Sequence, residues 1–204
     1  MEVLNFVDVY VSPIPTSVNF TPLIPKEREQ EIKSLSNERV KREKYYAWKL
    51  LEYALKNALG VNVADAKIYK SKNGKWKSEF CEFSISHSGS CVAVAVSHAP
   101  VGIDIEPLGA SRRAGFAEKL LSEDEFLRYS ALSDAEKNDF LLTRWCIKEA
   151  IFKKGAGAVF VPSKTVEDNE YLFEKRFFLE GKEYFCAVSA KKEHCVRNFE
   201  IVAL

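Results

Sequence analysis

The spacing of apolar positions changes several times along the chain, and each change predicts an element. Val3 to Val11 is apolar and partly alternating, the pattern of a strand. Pro13, Pro15, Pro22 and Pro25 then interrupt it, and Pro25 is placed to open a short helix through Lys26 to Leu35. From about Asn37 to Leu59 the apolar residues Val40, Ala47, Leu50, Leu51, Ala54, Leu55 and Ala58 recur at helical spacing. Gly60 follows where a helix commonly closes in the left-handed conformation. Asn73-Gly74 marks a turn. Three short strands are then predicted at Glu82–Ser86, Cys91–Ser97 and Val101–Ile105. His87-Ser88-Gly89-Ser90 and His98-Ala99-Pro100 separate them, which reads as an antiparallel meander.

The second half runs through helices and then strands. Gly109 to Gly115 is small and basic and reads as a loop or boundary. Ser122-Glu123-Asp124-Glu125 and Ser133-Asp134-Ala135-Glu136 both have the S-x-x-E form of a capping box, predicting helices over about 123–131 and 134–154. Gly155-Ala156-Gly157 ends the second. Strands are expected at Val159–Val161, Tyr171–Leu179, Tyr184–Ala190 and Phe199–Val202. The fold class is therefore α+β, in two halves of similar size.

Composition narrows the function classes. The chain has 204 residues, 47% hydrophobic and 29% charged, enough to bury a core without staples. Lys plus Arg is 30 against 29 Asp plus Glu, a net charge of +1, so no basic excess points to nucleic acid. The clean apolar run Val92–Val96 is far too short to span a bilayer. Five cysteines, with no C-x-x-C pair, suggest reduced and mostly buried thiols. The first residues lack the basic and apolar regions of a secretory signal, so a cytoplasmic protein is expected.

Three stretches could carry chemistry. In Val101-Gly102-Ile103-Asp104-Ile105-Glu106, strand alternation turns Val101, Ile103 and Ile105 to a core and Gly102, Asp104 and Glu106 to the other face. Two carboxylates about 6–7 Å apart at Cα suit a hard cation such as Mg²⁺, while the plain alternative is a solvated acidic edge. Gly102 leaves room for close approach of a ligand or another chain. In Arg144-Trp145-Cys146-Ile147-Lys148-Glu149-Ala150-Ile151-Phe152-Lys153, Glu149 and Lys153 form an i,i+4 pair. That pair is either a surface ion pair or a third acid beside phosphate-neutralising lysines. Phe83-Ser84-Ile85-Ser86-His87-Ser88-Gly89 is either an anion-binding turn or a hairpin turn satisfying its own backbone.

The ordered set S-H-S-G, G-I-D-I-E and W-C-I-K-E-A-I-F-K resembles the 4′-phosphopantetheinyl transferase superfamily. It is most similar to the two-lobed type that activates peptide and polyketide synthetases. The resemblance implies two similar α/β lobes forming a pseudo-dimer, 1–103 and 104–204, with antiparallel sheets, a long helix in each half and the active site in the cleft between them. It implies transfer of the phosphopantetheine arm of coenzyme A to a serine of an apo acyl or peptidyl carrier protein, with release of adenosine 3′,5′-bisphosphate.

By position, Asp104, Glu106 and Glu149 correspond to Mg²⁺ ligands, and Asp104, Glu149 and Lys153 to the catalytic set. Lys148 and Lys153 correspond to the motif lysines, with Lys153 toward the pyrophosphate. Ser86 and His87 correspond to the phosphate-holding turn, and Lys75 to a G-K element whose usual following proline is Trp76 here. Arg39, Arg42 and Lys49 are candidates for the 3′-phosphate. The partners implied are coenzyme A and a carrier protein, with no nucleic acid and no membrane, and a monomer is expected. Arg112, Arg113, Phe116 and Lys119 are candidate docking residues. A pyrophosphate hydrolase and a non-catalytic coenzyme A or carrier-binding module are the rival readings. No extra acid cluster or Nudix-like repeat of glutamates supports the hydrolase, and three intact carboxylates argue against a degenerate, non-catalytic module.

Overall fold

The computed structural model describes residues 6–17, 20–72, 74–109, 112–155, 159–168 and 170–204. Its elements are β1 (Phe6–Pro13), α1 (Lys26–Lys33), α2 (Glu38–Leu59), β2 (Ile68–Lys70), β3 (Trp76–Ser78), β4 (Glu82–Ser88), β5 (Cys91–Ser97), β6 (Gly102–Pro107), α3 (Phe116–Leu120), α4 (Glu123–Ser130), α5 (Asp134–Gly155), β7 (Glu170–Leu179), β8 (Lys182–Lys191) and β9 (Cys195–Ile201). A short 3₁₀ turn, Pro162–Lys164, precedes β7. The start of the first predicted strand, Asn73 of the predicted turn and Ala156-Gly157 of the glycine exit lie outside the described residues.

The α+β class holds, and the order of the sheets explains how the site is built. One sheet runs β4-β5-β1-β9, a second β6-β8-β7, and β2 pairs with β3. Both faces of β5 are buried. Val92, Val94 and Val96 pack with Trp48, Leu51 and Leu55 of α2. Cys91, Ala93 and Ala95 pack with Ile103, Ile105, Cys186 and Val188 of the second sheet. On the far side of that sheet, Cys146, Ile147 and Ala150 of α5 cover Phe185 and Ala187. The molecule is thus layered helix, sheet, sheet, helix, with each sheet sharing a core with its helix and with the other sheet. Apolar side chains on both faces of a strand are what such burial requires.

The helix signals act as expected. The Asn37 side chain accepts from Arg39 N and Val40 N at the start of α2, and Gly60 closes it at φ 70°. Ser122 and Glu125 make a complete capping box on α4.

Three predicted elements differ. The meander stops after two strands: β6 pairs with β8 and not with β5, because β5 already has β4 on one edge and β1 on the other. The strand before His87 continues through Ser88, so His87 stands on a strand and the tight turn is Gly89-Ser90. Val159–Val161 forms no strand; Val159 is exposed and the segment leads directly into the 3₁₀ turn. The last strand, β9, returns to the first sheet and runs parallel to β1.

Candidate active site

The two sheets meet along β4 and β6, and hydroxyls join them. Ser84, Ser86 and Ser88 alternate along β4, so all three point to one side. Ser84 Oγ accepts from Ile103 N at 3.1 Å, and Ser86 Oγ accepts from Ile105 N at 3.4 Å. Ser86 Oγ also donates to Asp104 Oδ1 at 2.8 Å, and Ser88 Oγ donates to Glu106 Oε2 at 3.0 Å. The strand alternation read from the sequence is present: Val101, Ile103 and Ile105 are in the shared core, while Asp104 and Glu106 lie on the face that α5 crosses.

Gly102 lets that helix approach. A Cβ built there would fall 1.9 Å from Ala150 O and 2.6 Å from Lys154 N. The helix positions on either side of this contact, Glu149 and Lys153, are thereby carried over the acid strand. Lys153 Nζ donates to Asp104 Oδ1 at 2.7 Å and to Ser86 Oγ at 3.2 Å, and lies 3.8 Å from Glu149 Oε2. Burial raises the Glu149 pKa and nearby Asp104 and Glu106 raise it further, against the opposing effect of Lys153. For Lys153, burial alone would lower the pKa, but Asp104 and Glu149 outweigh it and hold the ammonium above the ordinary lysine value. Beneath them the buried Cys146 thiol is pushed well up by burial and by Asp104.

Beside this cluster is a cavity of about 410 Å³, lined by Arg28, Lys44, Lys75, His87 and Lys153 on its polar side and by Trp76, Phe83 and Phe152 among others. Lys75 Nζ donates to Lys153 O at 2.8 Å, tying β3's approach to the end of α5. Burial lowers the pKa of both Lys75 and His87, with neighbouring cations adding to the shift. His87 Nδ1 lies 3.6 Å from Glu43 Oε2. A cavity lined by both cations and aromatic side chains can take a polyanion that also carries a flat ring.

Not every expected site residue is brought here. Lys148 turns to the opposite side of α5, where it is fully buried and donates to Glu125 Oε2 at 2.6 Å and Leu120 O at 3.0 Å. It anchors α4 to α5 and does not reach the cavity, because one step from Glu149 on a helix rotates a side chain by about 100°. Arg39 pairs with Glu43 at 2.8 Å, Arg42 donates to Thr16 O, and Lys49 pairs with Glu52; none of the three lines the cavity. Arg28 and Lys44 line it instead. Arg28 is buried against the Trp48 ring, 4.9 Å from its centroid, and donates to Glu31. Their signal in the sequence is weak, since nothing local separates Lys44 from the other cations of the same helix. The serine stripe of β4, by contrast, is visible as a period of two.

Oxygen ligands suited to a divalent cation are present: Asp104 Oδ2 is buried without a hydrogen-bond partner, and Glu149 is its neighbour. Among the described residues, no group of three or more His, Cys, Asp or Glu side chains is placed so that it could hold a metal ion. The donor set fits a hard cation, provided that the Lys153 ammonium yields its place between the two carboxylates.

Residues 100–196, which contain the acid strand and all of α5, match the model of the 4′-phosphopantetheinyl transferase superfamily. The match includes two of the three motifs behind the resemblance, G-I-D-I-E and W-C-I-K-E-A-I-F-K, while the S-H-S-G segment lies outside it. A 4′-phosphopantetheinyl transferase, ffp, of Bacillus subtilis is 32% identical over 80 residues, 39% of this chain and 35% of that protein. The 4′-phosphopantetheinyl transferase psf-1 of Bacillus pumilus is 38% identical over 71 residues, 35% of this chain and 30% of that protein. A holo-[acyl-carrier-protein] synthase of Streptococcus sanguinis is 47% identical over 57 residues, 26% of this chain and 48% of that protein. The matched segments span between about a third and a half of the length of these relatives.

Proposed function

We propose that the protein is a 4′-phosphopantetheinyl transferase that moves the phosphopantetheine arm of coenzyme A to a serine of an apo acyl or peptidyl carrier protein. Adenosine 3′,5′-bisphosphate is the other product. The observation that carries this reading is the meeting of Asp104, Glu149 and Lys153 at the edge of a cationic, aromatic-lined cavity. A long helix of 22 residues on the outer face of each sheet supports two lobes, expected at 1–103 and 104–204, with all of β6 from Gly102 belonging to the second and β9 returned to the first.

Coenzyme A lies in the cavity with its phosphates toward Lys75, His87 and Lys153, and Arg28 and Lys44 add charge on the same wall. Ser86 acts one step back, bracing Asp104. Asp104, Glu106 and Glu149 would hold Mg²⁺, which supplies Lewis-acid polarisation of the pyrophosphate oxygens when bound. Glu149 removes the proton of the carrier serine, whose oxygen attacks the β-phosphorus of coenzyme A. Burial raises its pKa in the metal-free protein, and a carboxylate at this position is within reach of the reacting centre to act as the base. Lys153 and His87 offset the charge that develops on the departing bisphosphate.

The carrier, a small acidic helical bundle in most cases, docks on the segment after β6, where Arg113 and Lys119 are exposed. Arg112 is less free: its guanidinium lies 3.2 Å from Glu106 and over Phe116 and Trp145. No helix among the described residues is long and apolar enough to cross a membrane, and the reading is of a cytoplasmic monomer. Incubation with coenzyme A, Mg²⁺ and an apo carrier tests it: a carrier heavier by one phosphopantetheine supports the transfer, and an unmodified carrier refutes it.

A further inference from the structure

Lys153 stands where a cation belongs. Its ammonium touches Asp104 Oδ1 at 2.7 Å and lies 3.8 Å from Glu149 Oε2, so it already sits beside two of the carboxylates assigned to a metal. It also lines the cavity assigned to the pyrophosphate. The side chain is about a quarter exposed, on the side that faces that cavity. Asp104 has a second carboxylate oxygen, buried and without a hydrogen-bond partner.

We propose that Lys153 is an internal counter-cation that competes with the divalent ion for Asp104 and Glu149, and that a diphosphate in the cavity draws it away. Two positive groups cannot share one carboxylate pair without strong mutual repulsion. An anion beside them gives Lys153 another partner at the moment the carboxylates need another cation. Metal and diphosphate therefore bind with positive cooperativity, and each raises the affinity of the other by the same factor. The carboxylates keep a cation beside them in both states, Lys153 in one and the divalent ion in the other, with Lys153 then on the phosphates. This inference rests on the transferase reading for the identity of the diphosphate, but the competition itself concerns only this chain and a cation.

The test is a titration of the full chain with Mn²⁺, read from the electron paramagnetic resonance signal of the free ion. Lys153→Gln should bind Mn²⁺ about tenfold or more tightly than the wild type when no coenzyme A is present. Lys153→Met gives the same comparison if the glutamine variant does not fold. Asp104→Asn added to Lys153→Gln should remove the gain. In the wild type, coenzyme A should tighten Mn²⁺ binding after correction for Mn²⁺ held by free coenzyme A, and this tightening should shrink in Lys153→Gln. Variants that bind Mn²⁺ no more tightly than the wild type, or a wild type whose Mn²⁺ affinity ignores coenzyme A, overturn the proposal. If such a wild type still loads a carrier with Mg²⁺, the counter-cation idea fails alone. If the variants show the gain and the wild type loads no carrier, the transferase reading fails and the competition stands.

Discussion

The Ser86 hydroxyl donates to Asp104 Oδ1 across the seam between the two sheets, at 2.8 Å. The same oxygen of Ser86 receives Lys153 Nζ and Ile105 N. One small side chain therefore fixes the orientation of the acid, its lysine and the strand that bears it. Ser86→Ala should leave a buried carboxylate oxygen and a buried N–H short of a partner, costing about 1–3 kcal/mol in a urea titration. The turnover number for carrier loading should fall more than the Michaelis constant for coenzyme A rises, because Ser86 is not on the cavity wall.

Close approach of β6 and α5 depends on the missing side chain of Gly102. A methyl group there meets the backbone of Ala150 and Lys154, which cannot move without shifting the helix. Gly102→Ala should lower stability by about 3 kcal/mol or more, at or beyond the usual range for overpacking. It should also reduce carrier loading in whatever fraction remains folded. Chemical denaturation and loading measured on the same sample check both.

Glu125 predicts a pH signature of the fold. Burial works against its ionisation, but bonds from Lys148, Ser122 and Arg144 outweigh that and depress its pKa from 4.5 to about 2. A depressed acid stabilises the fold above its unfolded pKa, and that stability is lost as the pH falls through the folded value. Between pH 4.5 and about 2 the wild type should lose stability that Glu125→Gln does not lose, since the amide has no charge to protonate. At pH 7 the same substitution should cost about 3 kcal/mol, because it leaves the buried Lys148 without its carboxylate. Urea midpoints over that pH range decide the matter.

The cations of the cavity can be ranked. Lys75 and Lys44 line it and Lys49 does not. Lys75→Ala and Lys44→Ala should each raise the Michaelis constant for coenzyme A by about tenfold, the loss of one charge-assisted contact. Lys49→Ala should leave it within about twofold. Equal effects at all three positions would remove coenzyme A from this cavity.

For the carrier, charge reversal at Arg113 and Lys119 should raise its Michaelis constant while sparing that for coenzyme A. Arg112 is unsuitable for this test, since its reversal would also disturb Glu106.

Much of the local structure is legible in the sequence alone. The period of two in Val101–Glu106 and the period of 3.6 in α2 are local, and both elements formed as their spacing required. The caps at Asn37, Gly60 and Ser122 are equally local. What could not be read depends on pairing between distant segments. Nothing near Pro100 tells β6 to leave β5, because the reason is that β1 has already taken that edge. The return of β9 to β1 spans almost the whole chain. Asp104, Glu149, Lys153, Lys75 and His87, which the motifs single out, are brought together around one cavity. Lys148 shares its motif with Glu149, yet the turn of the helix sends it to Glu125. Arg28 and Lys44 belong to the cavity only through the way α1 and α2 pack, which no short motif records.

The most direct measurement is the intact mass of an apo carrier protein after incubation with coenzyme A, Mg²⁺ and either the wild type or Asp104→Asn. The expected result is a gain of one phosphopantetheine with the wild type, release of adenosine 3′,5′-bisphosphate in equal amount, and no gain with a folded Asp104→Asn. A carrier left unmodified by the wild type across fatty-acid, polyketide and peptide carriers would contradict transfer, and full loading by Asp104→Asn would contradict the site.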